Sequence, residues 1–322
     1  MQERAYGHLL SKAIRQYRPD MVLMTNTPLI SHAIAARSIQ AVGAKTILWV
    51  QDLLGVAARA VLQQRIGFPG ALVGRHFKRL ERQLIHDSHA VISVTEDIQR
   101  YIAEVYDRPS HYLPNWSSRL HEDFAEDRAV WRERLGAEPD DFLVLYSGNL
   151  GGKYNAQFLI EVAARLVDKP GMRLACITEG AGYRQLINTS VRNLSVFPYF
   201  TADQVSHVLG AADALFAFLD PQAQPFSFPS KVLDYLCVGR PVVLAIQENN
   251  RMAQALQAAR ACILTTPGDA QQATDQLTQL KGDPELADHH GHLSRAYAEK
   301  HFQIDSIGAR FLAILERSGT SD

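Results

Sequence analysis

Two stretches of the 322-residue chain combine residue types that can hold a phosphorylated ligand. The first is the turn Tyr146-Ser147-Gly148-Asn149-Leu150-Gly151-Gly152-Lys153, between an apolar run and a segment that Asn155 can cap as a helix. Ligands of open α/β sheets bind beyond the carboxyl ends of the strands, and glycines there let backbone N–H groups approach a phosphate. Lys153 adds a charge that could reach that phosphate. The same residues also suit a plain strand-to-helix turn with an exposed lysine. The spacing fits neither GxGxxG nor GxxxxGK[ST], which weighs against a nicotinamide cofactor and against a P-loop.

The second stretch runs from Pro225 to Val243 and contains Pro229-Ser230-Lys231, Asp234 and Gly239-Arg240-Pro241-Val242. Ser230 reads as the N-cap of a helix that stops at Gly239. Free N–H groups and a partial positive charge at a helix start suit a diphosphate. Lys231 opposes that dipole, and a bound anion would remove the conflict. Asp234, one turn further on, is placed to accept hydrogen bonds from vicinal hydroxyls such as those of ribose. Without a ligand, this is an ordinary capped helix with two solvated charges.

The elements that must position these residues are short apolar runs at 21–24, 46–50, 90–94, 111–113, 142–147, 173–177, 194–198, 214–218, 241–246 and 262–264. Amphipathic segments separate them; after Asn155, for example, Phe158, Leu159, Val162, Ala163 and Leu166 share one helical face. Strands alternating with helices predict parallel sheets covered on both faces. The chain exceeds the roughly 250–300 residues one core serves, so two domains are expected. Pro114-Asn115-Trp116 and the acidic segment after it mark a boundary. Residues 1–118 would form the first domain, which carries about four strands and reads as incomplete, and 125–300 the second, which carries six.

Several function classes lose support. Lys and Arg total 33 against 34 Asp and Glu, which removes the electrostatic case for nucleic acid. Cys176, Cys237 and Cys262 stand far apart with no CxxC pair, against a disulfide framework or structural zinc. Asp288, His289, His290 and His292 lack a second ligand cluster, so no metal site is expected. No apolar run reaches the ~18 residues of a membrane span, and the charged N-terminus lacks a signal-peptide core. The expected location is cytoplasmic. In 68–86, Leu72, Phe77, Leu80 and Leu84 form a stripe, with Arg75, Lys78, Arg79 and Arg82 largely away from it. That pattern suits a helix lying on anionic lipid, or a sheet-covering helix with a solvated back.

The motifs resemble those of family 4 retaining glycosyltransferases, in the bacterial exopolysaccharide branch typified by colanic acid and fucosamine transferases. The matching forms are the YSGNLG turn at 146–151, the PSK block at 229–231 with GRPV at 239–242, the PNW turn at 114–116, the PD-V entry at 19–22 and the VQD strand end at 50–52. The resemblance implies the GT-B architecture: two Rossmann-like doubly wound parallel-sheet domains facing a cleft, the first incomplete and completed by a C-terminal helix at 304–317. It implies a donor site of Gly148, Asn149, Gly151, Lys153, Ser230, Lys231 and Asp234 for a UDP- or GDP-linked sugar, with Gln51 and Asp52 on the catalytic side. Asp234 stands for the second glutamate of the family's E-x7-E element and Phe226 for the first; Gln51 replaces a frequent histidine, and Asn149 a frequent arginine. No residue qualifies as a catalytic base or nucleophile, and no cofactor or metal is called for. The acceptor would be lipid-linked or a polysaccharide, at the inner face of the plasma membrane. The family's opening strand and glycine loop have no counterpart before Met21, so the N-terminus is expected to be truncated and the chain poorly active alone. A nucleotide-sugar-binding remnant and a hydrolysing sugar-nucleotide epimerase remain as alternatives.

Overall fold

The structure, a computed structural model, describes residues 2–25, 27–124, 127–151, 155–223 and 226–319. The chain divides into two compact units, Met1–Asn115 with Asp305–Asp322, and Trp116–Ile304. Each of the ten apolar runs forms a strand, with ends within one residue of those read from the sequence. Every pairing is parallel.

The first unit opens with α1 (Gln2–Tyr17) and continues β1 (Met21–Thr25), α2 (Leu29–Val42), β2 (Lys45–Val50), α3 (Leu54–His86), β3 (Ala90–Ser93), α4 (Glu96–Tyr106) and β4 (His111–Tyr112). Its four strands lie in the order β1-β2-β3-β4. A cluster of Ile14, Met24, Ala35, Ile39 and Ala44, with Leu48 against it, joins α1 and α2 to one sheet face. Successive side chains of a strand point to opposite faces, so Trp49 faces the other way from Leu48.

Helix α3 is broken at Ile66–Gly67, where Gly67 takes φ 62° and ψ −138°. The chain reverses there into two antiparallel arms. They approach so closely that a Cβ on Gly70 would strike the Leu62 carbonyl and one on Gly74 the Arg59 backbone. Residues 68–86 are therefore one arm of a helical hairpin, and the apolar stripe read there is not uniform. Leu84 is buried, Phe77 and Leu80 are half-buried, and Leu72 is exposed.

The second unit contains α5 (Arg128–Arg134), β5 (Phe142–Ser147), α6 (Ala156–Leu166), β6 (Met172–Ile177), α7 (Gly180–Ile187), β7 (Leu194–Phe197), α8 (Val205–Gly210), β8 (Ala214–Phe218), α9 (Lys231–Val238), β9 (Val242–Ala245), α10 (Arg251–Ala258), β10 (Ile263–Thr265), α11 (Ala270–Gly282) and α12 (Pro284–His301). Six strands lie in the order β10-β9-β8-β5-β6-β7. The first strand of the unit pairs with both the second and the fourth, so the order reverses between β5 and β8. Leu143 and Leu145 face a core with α8, α9 and α10, whereas Val144 and Tyr146 face one with α6 and α11. The final helix, α13 (Ile304–Gly319), belongs to the first unit, where Phe311 stacks on Trp49 with ring centroids 5.1 Å apart.

Candidate functional site

Open α/β sheets bind ligands outside the carboxyl ends of their strands, where the strand order reverses. In the second unit that point is the pair β5 and β8, which end at Ser147 and Phe218. Gly148, Asn149 and Gly151 follow β5 there; Lys153 lies outside the described residues. The rings of Tyr146 and Phe218 close the strand ends, 5.4 Å between centroids. Gly148 takes φ 143°, a value that favours glycine.

Helix α9 starts on the other face of the sheet and sends Lys231 across the end of β5. Its ammonium sits 3.8 Å from the centroid of the Tyr146 ring. A Cβ on Gly148 would lie 2.7 Å from Nζ, so the glycine makes the space the lysine occupies. The nitrogen is buried, and burial pulls its pKa from 10.5 down to about 7. Tyr235, one turn along α9, fixes the helix to the turn: its phenol accepts from the Ser147 N–H at 2.7 Å and donates to the Ser147 carbonyl at 3.0 Å.

Ser230 departs from the sequence reading. Its backbone is already helical (φ −55°, ψ −28°) and its side chain caps nothing, because the Val232 N–H bonds to the Pro229 carbonyl. The hydroxyl is left exposed at the helix start. Asp234 is also engaged: Ser117 donates to its carboxylate at 2.8 Å and Arg119 lies 3.7 Å away. Burial raises the Asp234 pKa, with Ser117 and Arg119 pulling it down. Phe226 is buried in the approach to α9, where the Asn250 amide holds the Ser227 carbonyl at 3.1 Å. Glu179 stands at the N-cap of α7, whose first turn is Gly180-Ala181-Gly182.

Gln51 and Asp52 lie in the other unit, after β2. Gln51 accepts from the Asn115 amide at 2.8 Å, and Asp52 accepts from the Leu53 N–H at 3.0 Å. They border a cavity of about 30 Å³ that also meets His32 and Glu81, room for about one water. His32 is buried, which lowers its pKa to about 4 and keeps it neutral. Glu81 accepts from the Gly55 N–H at 2.8 Å and from the Tyr106 hydroxyl at 2.7 Å, binding the two arms of the hairpin at their base. Among the described residues, no group of three or more His, Cys, Asp or Glu could hold a metal ion, the 288–292 stretch included.

The sequence reading missed the Tyr146 ring as a partner of Lys231, the two hydrogen bonds between Tyr235 and Ser147, and Ser117 and Arg119 on Asp234. Only Tyr235 carried a signal, its i+4 spacing from Lys231.

The sequence profile of the group 1 glycosyl transferases matches residues 141–283, inside the second unit. The Escherichia coli K12 protein WcaI, whose name assigns it to colanic acid biosynthesis as a glycosyl transferase, is 24% identical over 320 residues, covering 93% of this chain and 74% of its own. HepE of Anabaena, solved in complex with UDP, superposes with a TM-score of 0.76 at 16% identity, covering 96% of this chain and 82% of that one. WaaG, a glycosyltransferase involved in lipopolysaccharide biosynthesis, superposes at 0.66 and 16% identity, covering 92% and 91%. The chain has the GT-B fold and is a glycosyltransferase, with its group 1 likeness lying in residues 141–283.

Proposed function

We propose that the chain transfers a sugar from a UDP- or GDP-linked donor to a lipid-linked or growing polysaccharide acceptor, with retention at the anomeric carbon. The observation that carries this reading is the Lys231 ammonium held over Gly148 at the reversal between β5 and β8. Lys231 and the Ser230 hydroxyl would take the diphosphate beside the backbone of Gly148, Asn149 and Gly151, with Lys153 contributing from the same turn. Asp234 would accept from the ribose hydroxyls, exchanging its bond from Ser117. The acceptor hydroxyl forms the new bond to the anomeric carbon as the bond to the diphosphate breaks, and its proton passes to the departing diphosphate oxygen. Gln51 and Asp52 would serve the sugar side of the reaction, and no metal or cofactor is called for.

A lipid-linked acceptor would place the protein on a membrane surface at the cytoplasmic face. Among the described residues no helix is long and apolar enough to cross a membrane. The hairpin supports peripheral contact: Val61, Ile66, Phe68, Leu72 and Val73 are exposed around its tip. Its one acidic residue, Glu81, is buried, while Arg65, Arg75, Arg79 and Arg82 are exposed. Apolar tips rimmed by cations suit an anionic interface. Flotation with phosphatidylglycerol vesicles should retain the protein, and Phe68→Asp should release it.

The deciding assay is release of UDP or GDP from a panel of nucleotide sugars, with and without a polyprenyl-linked acceptor. Release that requires acceptor supports transfer. Release without acceptor, with an epimerised sugar, would support the epimerase alternative, and binding without release in any condition would support a donor-binding remnant.

A further inference from the structure

We propose that Tyr146 is a positioning residue for the donor diphosphate: its ring face holds the Lys231 ammonium in place at the carboxyl end of β5. The inference rests on the donor-site reading given above and assigns the ring a part in it. Three observations on different elements converge. The ammonium lies 3.8 Å from the ring centroid, well inside the ~6 Å range of cation–π attraction. Tyr146 is fully buried between α6 and the sheet, so its ring cannot move aside. Gly148 leaves open the space that the Lys231 side chain occupies on its way to that ring, and Tyr235 clamps α9 to Ser147 so that the reach is fixed.

The physical need is plain. A buried ammonium gives up its hydration and drifts toward the neutral amine, which would hold a diphosphate poorly. The negative face of an aromatic ring returns part of that lost stabilisation without supplying a competing anion. A carboxylate in the same place would hold the lysine better and would repel the ligand. Two groups against Lys231 fit this design: the Tyr146 ring on β5 and the thiol of Cys176 on β6, whose pKa burial raises so that it stays uncharged; Asp234, on the same helix, accepts from Ser117 and lies near Arg119.

The test replaces Tyr146 with phenylalanine and then with site-specifically incorporated phenylalanines of increasing fluorine content. These keep the ring's shape while draining its negative face. UDP and GDP affinities are read by calorimetry, and uridine and guanosine, which carry no phosphate, by ligand-observed NMR. Tyr146→Phe should bind the diphosphate nearly as the native chain does. Affinity should then fall with each step of fluorination, on the order of tenfold at full substitution, with nucleoside binding unchanged. Diphosphate affinity that ignores fluorination would overturn the proposal. So would parallel losses for diphosphate and nucleoside, which a merely structural ring would give. A native chain that binds neither diphosphate defeats the donor-site reading itself, an outcome visible before any variant is made.

Discussion

The two units are built from the same alternation of strand and helix, yet among the described strands only the second unit's reverse their order. In the second, β5 pairs with both β6 and β8, and the reversal brings the glycine turn and the start of α9 to one point. In the first, β1 to β4 follow in sequence order with no reversal among the described strands. The polar groups follow suit. In the second unit a cation is held buried at the strand ends; in the first, Gln51, Asp52 and Glu81 are tied into bonds of their own unit around a cavity of about 30 Å³. Topology thus places a buried cation at the strand ends of the second unit, while the first unit's polar residues are engaged within their own unit.

The sharpest way to break that contrast is to remove the cation. Lys231→Ala should weaken nucleotide binding by roughly 10- to 150-fold, the range for a charge-assisted hydrogen bond of about 1.5–3 kcal/mol. Gln51→Ala should leave calorimetric affinity for UDP or GDP within about twofold while lowering turnover. Equal losses in both variants would erase the distinction between the units.

Gly148→Ala comes next. The new methyl would fall on the Lys231 ammonium, at a backbone angle of 143° that side chains rarely adopt. A cost of about 1–3 kcal/mol is expected for such a position, seen as a lowered melting temperature together with weaker diphosphate binding. A variant that melts lower but binds normally would show that Gly148 serves the turn alone.

Proton linkage gives a third test. The Lys231 pKa is lowered to about 7 from 10.5, so the unfolded chain binds the proton more tightly between those values. Stability without ligand should therefore rise with pH across that window. A bound diphosphate favours the ammonium, so binding takes up a proton and affinity should fall as pH rises above about 7. A nucleotide sugar suits the measurement, because its diphosphate diester does not titrate in this range. Lys231→Arg should flatten the dependence, since guanidinium stays charged; a slope that survives the substitution would assign it to another group.

How much of this could be read from the chain depended on sequence distance. The ten strands were legible because buried strands of parallel sheets are short apolar runs with turn residues between them. The start and stop of α9 were legible from Pro229 and Gly239, although the Ser230 cap was not formed. Strand order was not legible, since nothing local to β8 says that it pairs with β5, some seventy positions earlier. The Tyr146–Lys231 and Ser117–Asp234 contacts span 85 and 117 positions and rest on that order. The hairpin was half legible: 68–86 read as amphipathic, but the arm before it, at 54–65, has no clean period.

A separate effect, on stability alone, is expected in the first unit, at the base of the hairpin. Glu81 is 4% exposed, with one carboxylate oxygen on the Gly55 N–H and the other on the Tyr106 hydroxyl. Burial raises its pKa, and those two donors pull it back. A carboxyl whose folded pKa lies above its unfolded value holds its proton better when folded, so stability declines as pH rises through the folded pKa. Tyr106→Phe removes one donor and raises that pKa further. The loss should be about 1–3 kcal/mol and should be larger at pH 8 than at pH 5, because the phenol's bond favours the ionised carboxylate, whose share grows with pH. Denaturant unfolding at the two pH values, with hydrogen exchange across residues 54–86, would locate it. Glu81→Gln cannot ionise, so the Tyr106→Phe penalty measured in that background should be the same at both pH values. A penalty in the native background that is already independent of pH would mean that the phenol packs the hairpin rather than serving the carboxylate. The arms would then be joined at Glu81 through the Gly55 N–H, with the phenol adding only its packing.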